Sequence, residues 1–371
     1  MAPRLLGTNS DQVHANHYST TNKGTTILSG IQPTGVPHLG NYYGALDNWV
    51  KLQRTRRNTT IFYSIVDLHA LTIPQDPKVL RQSKRDMAIA LMACGVDVKQ
   101  SVLFEQSRVP QHAELCWILN CITPVGWLSR MTQWKSKISS SNRDAAKHSD
   151  AITIAASTEG LRMGLFAYPV LQAADILIYQ ADEVPIGEDQ VQHLELAREI
   201  ASTFNKTVGE EIFPLPKSII PQSTKRIMSL REPTSKMSKS DDNDMSRINL
   251  SDTPEQIKAK IARATTDSER SISYDPSSRP GVSNLLAIYA ACKNILVEDA
   301  VKSFTNVSGH KQFKEDLADA IIQVLGPIQS EMNRLHNESG YVDSVLEKGA
   351  VKARNRAAET LDRVYHAVGL R

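Results

Sequence analysis

The chain has 371 residues, 41% of them hydrophobic and 22% charged, with a formal net charge of +3. That balance excludes a fibrous or wholly disordered protein, and the length exceeds the ~250 residues that a single core usually supports, which points to two domains. The weak positive charge permits an anionic partner without demanding one, and no run of ~18 apolar residues is present to span a membrane. Cys94, Cys116, Cys121 and Cys292 show no metal-type spacing and read as free thiols of a reducing compartment.

Residues 1–23 are rich in Ser, Thr and Asn, carry Arg4 and Lys23, and have Asp11 as their sole acid. They predict a disordered extension, compatible with a mitochondrial transit remnant or with a plain tail. Thr25–Leu28 is a short β-prone run ending at Ser29-Gly30. After a loop over 31–38, Leu39, Tyr42/Tyr43, Leu46 and Trp49/Val50 recur at helical spacing. Ile61–Val66 is a nearly continuous apolar strand of the kind buried on both faces of a parallel sheet, closed by Asp67 and His69. A helix over 78–94, a strand at Val102–Phe104 and a helix over 111–121 follow. The alternation predicts a Rossmann-like, doubly wound α/β sheet, with ligands at the carboxyl ends of its strands.

Residues 138–160 are polar and aperiodic and read as a mobile insertion. A helix is expected from Pro169 to Tyr179, then a strand at Glu183–Ile186, then a helix opened by Gly187-Glu188-Asp189-Gln190. Beyond 244 the segments 254–264, 282–293, 313–335 (with a kink at Pro327) and 342–368 read as helices without a strand among them. The expected organisation is an extension over 1–23, a catalytic α/β domain over 24–240, and an all-helical domain over 241–371. The last helix sets Ala350, Ala353, Ala357, Leu361, Val364 and Val368 against Lys348, Lys352, Arg354, Arg356 and Arg363.

Four groups of residues carry chemistry. The turn Gly30–Asn41 joins a strand to a helix start, where unpaired backbone N–H groups attract anions. There His38 and Asn41 can face one phosphate, or His38 can simply cap the helix. Lys236 and Lys239, three apart in Lys-Met-Ser-Lys-Ser, project together as point charges suited to a departing pyrophosphate, or form an ordinary solvated loop. Upstream, Lys137 is placed to reach a phosphate, whereas Lys135 reads as a surface lysine. Tyr168, Gln172 and Asp175 share one helix face, and Asp175 among apolar neighbours needs a donor, either a ligand N–H or O–H or the backbone. Asp189 is placed for ribose hydroxyls and Gln190 for an amino acid's charged ends, although acids are common at helix starts anyway.

These residues resemble the class I aminoacyl-tRNA synthetases, and among them the tryptophanyl-tRNA synthetases of bacterial and organellar type. Gly30 to Gly44 (GIQPTGVPHLGNYYG) is similar to that family's "HIGH" motif, and Lys236 to Ser240 is its "KMSKS" loop unaltered. Tyr168 to Tyr179, Gly187 to Arg198, Arg226 to Leu230 and Gly281 to Leu286 resemble further family blocks, so the likeness runs from about 25 to the C-terminus. The resemblance implies activation of L-tryptophan by ATP with Mg²⁺, transfer to tRNA(Trp), a homodimer, and no membrane association. It implies that His38, Gln32, Pro33, Thr34, Gly40 and Asn41 line the ATP phosphates and ribose. Gly187, Glu188 and Asp189 would meet ribose, Ile227 and Met237 adenine, and Lys236, Ser238, Lys239, Ser240 and Lys137 the leaving pyrophosphate. Asp175 would accept the indole N–H, with Tyr168, Gln172, Gln190, His69, Val66 and Gln133 around the amino acid; no protein metal site is implied. The helical domain would read the anticodon.

Gln172 stands where bacterial members usually carry methionine. Glutamine there is also similar to tyrosyl-tRNA synthetases, which keeps tyrosine open as the substrate. Organellar tryptophan enzymes resemble the chain at Gln172 too, which implies the mitochondrial matrix, or the cytoplasm for a bacterial chain. An inactive tRNA-binding paralogue, or another adenylate-forming nucleotidyltransferase, are the remaining readings. The intact His38, Lys236 and Lys239 oppose the inactive one.

Overall fold

The computed structural model describes residues 24–56, 58–132, 162–187, 190–219, 226–239, 241–307 and 309–371. The extension over 1–23 and the insertion over 138–160 lie outside them.

The centre is a parallel sheet of five strands: β1 (Thr25–Ile31), β2 (Thr59–Ile65), β3 (Ser101–Glu105), β4 (Glu183–Pro185) and β5 (Lys217–Ile219), in the order β3-β2-β1-β4-β5. The chain builds outward from β1 to β3, then crosses back to add β4 on the other side of β1. That reversal opens a crevice at the carboxyl ends of β1 and β4, the place where such sheets take ligands. The apolar run of β2 is buried as expected.

Between β1 and β2 lie α1 (Leu39–Asn41), a π-helical stretch (Tyr42–Leu46) and α2 (Asp47–Thr55). Trp49 stacks on Tyr63 with centroids 4.5 Å apart, and the Tyr63 hydroxyl donates to the Trp49 carbonyl at 2.8 Å, which locks α2 onto β2. Then come α3 (Asp67–Ala70), α4 (Pro77–Ala93), α5 (Gln111–Ile122) and α6 (Val125–Ser129). Asp76 caps α4 by accepting from the N–H groups of Lys78 and Val79, and Pro77 sits at the first position, where its missing N–H costs nothing.

The next helix, α7, spans Met163–Ile178, so it starts a turn and a half before the expected Pro169. Pro169 removes one intrahelical bond, but burial of Phe166, Val170 and Ala173 outweighs it. Helix α8 (Val191–Val208) ends on Gly209 at φ 72°, a left-handed cap that glycine adopts freely.

The C-terminal part contains α9 (Pro254–Ala262), α10 (Pro280–Lys293), α11 (Val297–Ser303), α12 (His310–Asn337) and α13 (Ser339–Ala367). The short α11 has no counterpart in the periodicity, and α12 continues through Pro327. Among the described residues no single helix is long and apolar enough to cross a membrane.

Packing does not break at 240. Ile27, Leu39 and Ile61 of the α/β part share one core with Ile227, Met237, Ile257, Leu285 and Phe313. Helix α13 returns to the sheet: Ala350, Ala353, Ala357, Leu361 and Val364 join Phe62, Phe104 and Tyr179 in a second core. This narrows the expectation of an all-helical unit over 241–371, since the alanine stripe of its last helix faces β3 and α5. Two of the arginines assigned to a free basic face are also engaged at this junction. Arg354 donates to the Arg108 carbonyl at 3.1 Å, and Arg363 reaches the Glu211 carbonyl at 3.5 Å.

Gly349 is the closest point of this docking, because a Cβ there would stand 1.8 Å from the Leu103 carbonyl oxygen of β3. Replacing Gly349 by Ala should therefore push α13 off the sheet edge and cost at least ~2 kcal/mol. An unchanged denaturation midpoint would show that the helix does not sit there.

Candidate active site

Two loops that are distant in sequence meet at the end of β1. In the first, Gly35 takes φ 77° and turns the chain toward His38. His38 caps α1 in a reciprocal box: its Nδ1 accepts from the Asn41 N–H at 3.2 Å, while Asn41 Oδ1 accepts from the His38 N–H at 3.1 Å. The second loop follows Ile227. Met228 and Lys236 pair across a short turn, Met237 N–H donates to the Ile227 carbonyl at 3.1 Å, and Asn284 of α10 clamps both backbone groups of Met228 at 2.9 and 3.0 Å.

Backbone bonds join the first loop to the segment that follows the second. Leu39 N–H donates to the Ile248 carbonyl at 2.8 Å, and Leu250 N–H donates to the Pro37 carbonyl at 2.9 Å. Lys239 Nζ donates to the Gly35 carbonyl at 3.1 Å. Gly40 lies between them, since a Cβ there would be 3.0 Å from the His38 ring and 3.5 Å from Met237 Cβ.

The electrostatics of the junction follow from burial and like charge. Burial, then the charges of Lys239, Arg247 and Lys236, lower His38 to about 4. It is neutral at physiological pH, and because Nδ1 accepts a backbone N–H its proton must sit on Nε2. His38 thus caps the helix and also keeps one N–H donor. Burial lowers Lys239 to about 8. An ammonium held this close to losing its proton gains strongly from an arriving anion.

Beside the junction lies a cavity of about 550 Å³, lined by Leu28, Gly30, Gln32, Val66, His69, Tyr168, Gln172, Asp175, Gly187 and Gln190 among others. The expected tryptophan-site residues within the described chain therefore converge. Asp175 is buried with every contact a donor: His69 Nε2 at 2.7 Å, Gln106 Nε2 at 2.7 Å and His112 Nδ1 at 2.6 Å. Burial alone would raise its pKa, but the His112 hydrogen bond, with the charge and hydrogen bond of His69, brings it down to about 2. It stands as a carboxylate. Tyr168 OH meets His193 Nε2 at 2.6 Å, and Gln172 Nε2 lies 3.4 Å from Gln190 Oε1.

Other expected residues fall elsewhere. Pro33 is buried in the turn, Thr34 is exposed there, and its N–H donates to the Gln32 carbonyl at 2.9 Å. Lys236 is exposed and Ser238 half-buried on the second loop. The side chains of Ile227 and Met237 are enclosed in the core, so a base in this arrangement meets their backbone. Gln133, Lys137, Glu188, Asp189 and Ser240 lie outside the described residues. Sequence reasoning passed over Gln106, His112 and Tyr179, which hold Asp175 in place. A histidine on the apolar helix 111–121 was the one available signal.

Because the folded pKa of His38 lies below its unfolded value, the stability it contributes is full above pH ~6.5 and is lost as pH falls toward 4. Its imidazole NMR resonances should titrate near pH 4. A midpoint at ~6.5 would mean an open, solvated ring.

Comparison with known proteins agrees with this geometry. The family model "tRNA synthetases class I (W and Y)" matches residues 20–326. The chain is 45% identical to the tryptophan–tRNA ligase of Rickettsia conorii over 93% of this chain and 98% of that one. It is 44% identical to the mitochondrial tryptophan–tRNA ligase of Schizosaccharomyces pombe, over 93% and 95%. The crystal structure of tryptophanyl-tRNA synthetase from Campylobacter jejuni, complexed with ADP and tryptophan, superposes with TM-score 0.76 at 31% identity, covering 93% of this chain and all of that one. With a parallel sheet, a histidine turn bonded to a lysine loop, and a cavity closed by an ionised aspartate, the chain belongs to the tryptophanyl-tRNA synthetases of the class I family.

Proposed function

We propose that the chain activates L-tryptophan with ATP and transfers it to tRNA(Trp), releasing pyrophosphate and AMP. A carboxylate oxygen of the amino acid attacks the α-phosphorus. The new C–O–P link forms as the bond to the β-phosphate oxygen breaks, and the electron pair leaves with pyrophosphate. A ribose hydroxyl at the tRNA terminus then takes the aminoacyl group, and AMP departs. The first step needs no general base, because the nucleophile is already ionised, so its catalysis is positioning and charge neutralisation.

The observation that carries this reading is the junction of His38 with Lys239 beside the Asp175 cavity. The cavity takes the amino acid, with Gln190, Gln172 and Tyr168 around it. Asp175 Oδ2 accepts from His69 alone among the described residues, so it keeps a lone pair for an indole N–H. The neutral N–H of His38 and the ammonium groups of Lys236 and Lys239 address the phosphates, near Gly40 and Asn41. Lys137, Glu188 and Asp189 complete the same proposal. Mg²⁺ enters this proposal with the triphosphate, as the counterion of its phosphates.

Anticodon recognition by the helices beyond 240 belongs to the same proposal. With Arg354 and Arg363 tied to the α/β part, it falls first to the exposed Lys348 and Lys352. Residence in the mitochondrial matrix is supported by the likeness to the S. pombe mitochondrial enzyme, beside equal likeness to bacterial ones.

The purified protein should exchange pyrophosphate into ATP only when tryptophan is supplied, and should charge tRNA(Trp). Lys239→Ala should slow exchange by about a hundredfold or more while tryptophan still binds. Exchange driven by tyrosine, or indifference to Lys239→Ala, would refute the assignment. A homodimer belongs to the same proposal, and exposed Leu71, Ile73, Trp117, Val125 and Met163, with Trp117 72% exposed, are apolar side chains it could bury. Sedimentation should give twice the 41.1 kDa of one chain, and Trp117→Glu should shift it toward the monomer; a monomeric wild type would contradict this.

A further inference from the structure

We propose that Gln106 is a positioning residue for the substrate aspartate, its side-chain amide carrying a fixed polarity from the backbone of α3 to Asp175. The proposal rests on the reading of the cavity as the amino-acid site. Gln106 follows β3 directly, is fully enclosed, and does not line the cavity, so it can act on a ligand only through other groups.

Its polarity is dictated. Gln106 Oε1 accepts from the Leu68 backbone N–H at 3.1 Å, and a peptide N–H can only donate. That settles which end of the amide is oxygen. Nε2 must then donate, and it does so to Asp175 Oδ1 at 2.7 Å. Leu68 is the immediate neighbour of His69 in α3, and His69 Nε2 holds the other carboxylate oxygen at 2.7 Å. One side chain therefore reaches both members of the His69–Asp175 pair, Asp175 directly and His69 through the adjoining Leu68 backbone.

The far side is anchored by charge. Asp67 Oδ1 accepts from the Ser107 N–H at 2.8 Å, and Lys84 Nζ bridges Asp67 at 2.8 Å and Glu105 at 3.0 Å. These contacts fasten the end of β3 to the start of α3, so the amide cannot drift with a loop. His112 donates through Nδ1 to the same Oδ1 of Asp175, and its Nε2 lies 2.8 Å from the Tyr179 hydroxyl. Asp175 thus meets donors alone and remains an acceptor, which is what a ring N–H requires.

Gln106→Glu is the discriminating change, because it keeps the acceptor for Leu68 and turns the donor toward Asp175 into a second carboxylate. Two buried carboxylates share one proton with a raised apparent pKa, and the introduced carboxyl, once protonated, would donate as the amide does. In tryptophan-dependent pyrophosphate exchange at high pH, the variant's KM for tryptophan should rise roughly tenfold or more with the KM for ATP unchanged. The ratio of variant to wild-type KM should then fall as pH is lowered. His69, His112, Tyr179 and Cys116 around Asp175, with Asp67 and Lys84 behind Gln106, are common to both proteins and cancel in that ratio.

Gln106→Met, of similar size and without polarity, should raise the KM for tryptophan with no recovery at low pH, and it serves if the glutamate variant does not fold. A parallel rise in both KM values, a ratio indifferent to pH, or an unchanged KM for tryptophan would overturn the proposal. Should the wild type exchange with another amino acid instead, the tryptophan reading fails by itself. The same ratio, measured for that amino acid, then decides the role of Gln106.

Discussion

Two backbone hydrogen bonds, Leu39 N–H to the Ile248 carbonyl and Leu250 N–H to the Pro37 carbonyl, hold the candidate site together. They join the turn after β1 to a segment some two hundred residues later, and the contacts around His38 and Lys239 depend on that joint. With it in place, Gly40 fits between the His38 ring and Met237, and Lys239 reaches the Gly35 carbonyl. Burial, with the nearby charges of Lys239, Arg247 and Lys236, then keeps the imidazole neutral. The cost of crowding cations beside a buried histidine is one that a polyphosphate would relieve, so the arrangement is biased toward binding an anion.

The cavity around Asp175 rests on a different principle, saturation by donors. A carboxylate buried as deeply as Asp175 would ordinarily take up a proton. Three donors on its two oxygens keep it charged, and each donor is itself fixed by a second contact: Gln106 by a peptide N–H, His112 by Tyr179, His69 by the short helix α3. Rigidity is inherited here through polar contacts, which transmit direction as well as position. The two ends therefore complement each other, one end waiting for negative charge and the other offering it.

Much of this was legible in the sequence, and the limits have physical causes. The strand at Ile61–Val66 and the helices over 78–94 and 111–121 announce themselves because their periodicity is long enough to be unambiguous. The start of α7 was hidden by Pro169, a helix breaker that burial overrides, and the two turns of α11 are too short to show a period. Tyr168, Gln172 and Asp175 were legible as one helix face. Gln106 and His112 were not, because their partner lies sixty-odd residues away and nothing local distinguishes them from core residues. Similarly, the alanine stripe of α13 was visible, but a stripe does not say which surface it meets. Here it meets the sheet, and Arg354 is drawn in with it.

That last contact bears on how the protein is made. Strand β3 is the outermost of its sheet, and the helix that covers it, α13, comes some 240 residues later in the chain. Until α13 has been made and has docked, the nascent chain displays an unpaired ladder of peptide groups flanked by Phe104 and Val102, an invitation to other extended chains. A product cut short before residue 339 would retain the substrate cavity's walls yet be prone to aggregate. The edge strand therefore stays uncovered for as long as α13 is missing, however early the rest of the sheet forms.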